Sequence, residues 1–376
     1  MNTYDLLILF LCIFAYMRKK IIVSVTNDIS TDQRVHKVCQ SLESMGCEVI
    51  LWGRKLSCSQ ALNYSYTTKR MTLIFSSGPL FYLEYNFRLF LILLFSKSHL
   101  LLSNDLDTLL ANFLASRCKG VPLVYDSHEL FPEAPELINR PAKKKIWERL
   151  ERWILPKIKH SYTVCHSIAR FYKDRYGIDM KVVRNVPYLR LSSSAQVKSK
   201  TIIYQGGMNP GRGLELAIKM MCYLDDFKLK IIGNGKELNA LKTLAQQKEV
   251  EHKVEFLGRL PFNDLKAHTE QASIGILFEE ARGLSFEYSL PNKLFDYIHA
   301  NTPVLASSLV EVKDIINHYQ IGELILERTP QNIAKQIEKM SQNISYYDFS
   351  KAKKELNWQN ESQIIENIFS PFLDKA

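Results

Sequence analysis

The chain has 376 residues, 46% of them hydrophobic and 23% charged, with a formal net charge of +10. This is ordinary globular material, long enough for two domains with sizeable cores, and its positive balance favours anionic partners. The seven cysteines are odd in number and scattered, with no CxxC pair and no Cys/His cluster. That argues against a structural zinc and for reduced thiols in a cytosolic protein.

A leader, 1–19, comes first. Its apolar run, residues 6–16, is shorter than the roughly 20 residues that cross a bilayer, and it lacks the basic start and small-residue cleavage site of a secretory signal. Two readings stay open: an interfacial anchor, or translation beginning at Met17, where Met17-Arg18-Lys19-Lys20 leads into a first strand. The second is preferred. Strand-like runs then alternate with helical stretches: 21–25, a helix over 33–45 closed by Gly46, then 49–52, 71–75, 100–102, 123–125 and 162–164. The series restarts at 201–204 and continues with 229–232, 254–257, 274–278 and 303–306. Near-continuous apolar strands between helices predict parallel sheets covered on both faces. The polar stretch 187–200, with Ser192-Ser193-Ser194, is the linker candidate. The organisation expected is α/β, with two doubly wound domains, 20–190 and 191–350, facing a central cleft, and a tail, 351–376. Ligands of such sheets bind outside the carboxyl ends of the strands.

Several polar segments stand at those ends. Asn27 and Asp28 with Arg34, and Asp105 with Asp107, would line the first domain's edge and suit a polyhydroxylated acceptor; helix capping explains Asp105 and Asp107 equally well. Asp126-Ser127-His128-Glu129 follows the 123–125 run, so His128 could face a ligand or serve as a structural histidine. Residues 143–160 form a basic amphipathic segment, with Ile146, Leu150, Trp153 and Ile154 on one helical face, which suits either anionic lipid or a surface helix packed on its own sheet. Residues 81–95 are unusually apolar and read either as a buried helix or as a contact for a lipid-linked acceptor. In the second domain, Tyr204-Gln205-Gly206-Gly207-Met208-Asn209-Pro210-Gly211-Arg212-Gly213 places four glycines and a permanent cation after a strand. This allows close backbone approach to a ligand and a fork for phosphate oxygens. It is neither GxGxxG nor a P-loop. Gly233-Asn234-Gly235 is a second glycine turn. In Ser289-Leu290-Pro291-Asn292-Lys293-Leu294-Phe295-Asp296-Tyr297, Asn292 is expected to cap a helix whose N-terminus suits a diphosphate. Asp296, one turn in, would accept from a ribose diol. A nucleic-acid partner is disfavoured, because the basic residues are dispersed.

The Gln-Gly-Gly and Arg-Gly turn, Leu-Pro-Asn-Lys-Leu-Phe-Asp-Tyr before Thr-Pro-Val-Leu-Ala-Ser, and Tyr125-Asp126-Ser127-His128-Glu129-Leu130-Phe131-Pro132-Glu133 together resemble glycosyltransferase family 4. That resemblance implies retaining enzymes of the GT-B fold, with two Rossmann-like domains, a nucleotide-sugar donor and a glycan or lipid-linked glycan acceptor. It further implies that Arg212, helped by Lys293, binds the donor diphosphate, that His128 contacts the transferred sugar, and that the turn at Arg259 rests the base. Asp296 would match the second acid of the family's E-x7-E motif. The first acid would stand at position 288, where this chain has Tyr288 with Glu287 beside it. Glu287 or the backbone of Tyr288, Ser289 and Leu290 would then serve the donor. The tail resembles a helix that returns to the first domain. No metal and no other cofactor is expected, since a cationic cradle replaces a metal clamp. From the scattered cysteines the place of action expected is the cytoplasm, and from the basic amphipathic segment 143–160 an anionic membrane is a further candidate partner. A GT-B epimerase and a nucleotide-sugar-binding subunit without turnover remain as alternatives.

Overall fold

The structure, a computed structural model, describes residues 18–30, 32–57, 59–134, 137, 140–189 and 198–373; the leader's apolar run and Ser192-Ser193-Ser194 lie outside them. The chain divides into two compact units: Met1–Pro132, Asn139–Arg184 and Ser362–Ala376 in the first, Glu133–Ile138 and Asn185–Glu361 in the second.

The first unit holds strands β1 (Lys20–Ser24), β2 (Glu48–Arg54), β3 (Thr67–Met71), β4 (Leu100–Asn104), β5 (Leu123–Ser127), β6 (His160–Thr163) and β7 (Lys181–Val182). They form one parallel sheet in the order β3-β2-β1-β4-β5-β6-β7. Ile22 lies between Ile50 and Leu101 in register. β1, β4 and β5 are buried nearly throughout, as expected of parallel strands covered on both faces.

The second unit holds β8 (Ser199–Gln205), β9 (Lys228–Ile232), β10 (Val254–Gly258), β11 (Ala272–Leu277), β12 (Val304–Ala306) and β13 (Gly322–Leu324), in the order β10-β9-β8-β11-β12-β13. Ile202, Ile231, Ile274 and Leu305 share a fully buried core with helix residues Ala217, Ile218 and Ile337. In each sheet the first strand sits between two neighbours whose connections run in opposite directions. That switch point, β1/β4 or β8/β11, opens a crevice at the strands' carboxyl ends.

Three expectations are corrected. The third strand is not 71–75 but Thr67–Met71. It is a polar edge strand, and the apolar residues that suggested otherwise, Ile74 and Phe75, are exposed, with their backbone N–H groups held by the Glu84 carboxylate. The units part at Arg184/Asn185, ahead of the expected linker. Residues just beyond the cut are anchored in the second unit, where Trp358 N–H donates to Pro187 O at 2.8 Å. The tail that groups with the first unit starts at Ser362, within the helix Trp358–Leu373, and its Phe369 and Phe372 pack on Tyr162 and His160. Of the described cysteines, Cys39, Cys47 and Cys165 are buried and Cys118 and Cys222 exposed.

Candidate active site

Each switch point carries a polar cluster. In the first unit, Arg34 on the helix Gln33–Ser44 is buried and meets Asp126, at the end of β5, as a two-pronged fork: Nε to Oδ2 at 3.0 Å and Nη2 to Oδ1 at 2.8 Å. Its Nη1 donates to Val183 O at 2.7 Å. Paired donors matched to a carboxylate are the geometry in which a buried ion pair repays its desolvation. Burial alone would push the Asp126 carboxyl up, but Arg34 and His128 hold it at about 2.

His128 stands between two carboxylates. Its Nδ1 lies 3.1 Å from Asp105 and its Nε2 3.1 Å from Asp126, while its backbone N–H donates to Asp105 Oδ1 at 2.8 Å. Burial would lower its pKa, yet Asp105 and Asp126 raise it well above the ordinary value. Two flanking carboxylates thus favour the protonated ring, which can donate to both. Helix capping does not explain Asp105: it precedes the helix Leu106–Lys119 but makes no side-chain cap bond, and it holds φ 58 and ψ 168. A non-glycine residue there costs roughly 1–3 kcal/mol, and what it gains is the His128 clamp.

Asp107 is buried, accepts from the Thr26 hydroxyl, and is pushed up to about 7 by burial and by the neighbouring Asp105 charge. Its proton stays bound in the folded chain from about pH 4 to about pH 7 but leaves the unfolded one. Stability therefore falls across that window as pH rises. Asp107→Asn cannot ionise, so the variant is expected to raise the thermal midpoint more at pH 8 than at pH 5, read by differential scanning calorimetry. Asn27 and Asp28 sit apart from this cluster in role. Asn27 Nδ2 donates to Asp32 at 3.3 Å, and Asp28 accepts from Ser59 and from the Ser30 backbone N–H, so both shape the loop after β1.

In the second unit, the Gly206-Gly207 turn leaves β8. Gly206 (φ 135) and Gly233 (φ 138) face each other so closely that a Cβ on Gly233 would stand 1.9 Å from Gly206 O. Only glycine fits there. Two cations converge beside this floor. Lys293, in the first turn of the helix Asn292–His299, is buried with Nζ 3.9 Å from the Tyr204 ring centroid. Its Nζ also lies 3.9 Å from where a Cβ on Gly206 would stand. Arg212 is half-exposed over Phe286. A single buried carboxylate, Glu279, holds both: Lys293 at 2.6 Å and Arg212 at 3.6 Å. Burial lowers the Lys293 pKa and Glu279 opposes the shift. Two cations against one carboxylate leave one positive charge facing the turn. Asp296, one turn further along the same helix, accepts from Gln205 Nε2 at 2.7 Å, and Gln205 is fixed in turn by Thr269 at 2.9 Å.

Gly206, Gly207, Gly233, Arg212, Lys293 and Asp296 thus come together at one sheet end. Glu279 was not among the expected residues; its only sequence signal was its place just after a buried strand. Glu287 closes the short helix Leu284–Glu287 and takes no part in the Arg212–Lys293–Glu279 set. Tyr288, Ser289 and Leu290 form the link to the next helix, with Ser289 Oγ donating to Phe286 O at 2.7 Å. Arg259 is exposed on the turn after β10. Asn292 is not the cap. Pro291 takes that position at φ −65 and ψ 133, and its carbonyl accepts from Leu294 N–H at 3.1 Å. Asn292 is therefore the first helical residue, its side chain exposed. Among the described residues, no group of three or more His, Cys, Asp or Glu is placed to hold a metal ion.

Comparison with known proteins gives consistent matches. Residues 189–356 match the family described as glycosyl transferases group 1, and residues 32–187 match glycosyltransferase family 4. An uncharacterised glycosyltransferase of Methanocaldococcus jannaschii is 26% identical over 191 residues, 48% of this chain and 47% of that protein. One of Haemophilus influenzae is 27% identical over 158 residues, 41% of this chain and 42% of its own length. The matched part thus spans about half the length of these curated relatives. Among solved structures, a sucrose-phosphate synthase from Thermosynechococcus elongatus aligns with TM-score 0.78 at 13% identity, over 96% of this chain and 100% of that one. Anabaena HepE in complex with UDP-glucose aligns with TM-score 0.74 at 14% identity, over 94% of this chain and 99% of that one.

Proposed function

Because the chain belongs to the glycosyltransferases of the family 4 type and carries the GT-B fold, we propose that it moves a sugar from a nucleotide-sugar to a hydroxyl of a glycan or lipid-linked glycan, with retention of anomeric configuration, in cytoplasmic assembly of cell-surface polysaccharide or glycolipid. The observation that carries the reading is the pair of cations, Arg212 and Lys293, held by Glu279 beside the Gly206-Gly207 turn. When the glycosidic C–O bond breaks, negative charge gathers on the departing diphosphate. A guanidinium fork, a compact ammonium and the N-terminal end of the helix Asn292–His299 would meet it. Groups fixed before reaction need no rearrangement as that charge forms. Asp296, oriented by Gln205, would accept from the ribose hydroxyls. Retention is carried over from the family.

UDP-glucose is the first donor to test, since the HepE structure contains it. The purified chain is incubated with a panel of nucleotide-sugars and with polysaccharide fragments or lipid-linked glycans. Acceptor-dependent release of nucleoside diphosphate is expected, with the product anomer read by NMR. Sugar interconversion without acceptor would make it an epimerase, and donor affinity without any release would make it a binding subunit. Turnover is also expected to persist in excess chelator, because protein cations occupy the place of a metal clamp. Activity lost in chelator and restored by Mg²⁺ would contradict that.

A further inference from the structure

We propose that the outer face of the helix Gly78–Phe95, with the basic face of the helix Pro141–Ile154, seats the protein on an anionic lipid bilayer. The first helix carries large apolar residues on both sides, and its two charges, Glu84 and Arg88, pair with each other at 2.7 Å. Phe81, Tyr85, Leu89 and Leu93 are buried in the unit's core. On the opposite side Leu80, Leu83, Phe87, Leu91 and Phe95 face solvent, with Leu83 67%, Phe87 62% and Phe95 83% exposed. Spacings of three and four put these five on one stripe, about 22 Å long at the helical rise. Surface helices of water-facing domains turn polar side chains outward, and a contiguous apolar stripe marks an interaction surface. By length and composition this helix of 18 residues could cross a membrane. Its inner side, though, is buried against the helix Leu106–Lys119, so it can lie in the lipid interface but not span it.

Charge selects the occupant. The rings of Tyr82 and Trp147 meet edge-on at 5.0 Å, joining the two helices. Beside Trp147 the second helix exposes Ile146 and Trp153 together with Lys145, Arg149 and Arg152. Lys157 follows, its Nζ 5.0 Å from the Trp153 ring. The helix's two acids do not offset this belt: Glu148 pairs with Arg175, and Glu151 is buried against Tyr172 and Tyr176. An apolar stripe bordered by cations matches acyl chains bordered by anionic headgroups. A second copy on the same patch would oppose like charges. The inner side of the stripe helix reaches the acceptor-side cluster, where Asn86 Nδ2 donates to Asp107 O at 2.7 Å and the Tyr85 hydroxyl donates to Val25 O. The seat would therefore hold that cluster about one helix diameter from the lipid. That last step alone rests on the transferase reading.

The test is co-sedimentation of the full chain, without nucleotide, with vesicles of phosphatidylcholine alone or of equal parts phosphatidylcholine and phosphatidylglycerol. Capture by the anionic vesicles only, weakening with salt, is expected. Lys145→Glu/Arg149→Glu/Arg152→Glu should bind at least about a hundredfold more weakly, and Leu83→Glu/Phe87→Glu should stay in the supernatant. Both variants should keep the wild-type circular dichroism and the wild-type nucleoside diphosphate release with a soluble acceptor. Should the glutamates disturb folding, Phe87→Ser is read instead, with reduced capture expected. Wild-type protein left in the supernatant with both vesicle types would overturn the proposal. So would a dimer that Phe87→Ser separates while vesicles capture nothing. Capture without any sugar transfer would leave the seat standing and remove the transferase reading.

Discussion

Arg212→Ala is expected to lower kcat by about 10²- to 10³-fold, the usual effect of deleting one fixed donor to a charge that develops in the transition state. Little stability should be lost, because the guanidinium is half-exposed and sits 3.6 Å from Glu279. Lys293→Ala differs. It removes the closer partner of the buried Glu279, met at 2.6 Å, and leaves only Arg212 at 3.6 Å, so a loss of up to about 3–5 kcal/mol is expected. The informative companion is therefore Lys293→Met with Glu279→Gln, which removes both charges at once and should restore most of the stability but not the turnover. Nucleoside diphosphate release and urea unfolding separate the two effects. Unchanged turnover in Arg212→Ala would end the role assigned to the cations.

The second large effect belongs to the first unit. Asp126→Ala leaves Arg34 buried with only the Val183 carbonyl, so a loss of about 3–5 kcal/mol is expected on denaturant unfolding. The pH dependence has a definite sign. The Asp126 carboxyl falls from an ordinary 3.8 to about 2 in the folded chain, so its contribution is complete above about pH 4 and fades as pH falls toward 2. His128 is raised above 6.5, so its contribution is complete below that value and fades as pH rises through the folded pKa. The gap between wild type and Asp126→Ala should therefore be widest from about pH 4 to 6.5 and narrow on either side. A gap that is flat in pH would mean the ion pair does not set the stability of this network.

Buried strands could be read directly, because 21–25 and 201–204 are near-continuous apolar runs that suit a doubly covered sheet. Edges could not. Thr67–Met71 carries Lys69 and Arg70, while the exposed Ile74 and Phe75 imitate a strand, and β7 and β13 are too short for any periodicity. The glycine turns after β8 and β9 and Arg212 were visible because turn chemistry is local. Glu279 was not, since its importance arises only when residues 212, 279 and 293, far apart in sequence, converge. The alternatives at Asp105 were likewise beyond local reading: its capping propensity is real, and only the backbone angle and the His128 contacts show that the side chain is used elsewhere.

Asp105 has a consequence for engineering. Its backbone conformation, φ 58 and ψ 168, is one that glycine would occupy with less strain. A library selected purely for heat resistance should drift toward glycine at position 105 and release the His128 ring. A library selected for product formation should retain the acid. Divergence between the two populations at that codon would indicate how much rigidity the protein has traded for a correctly aimed cation.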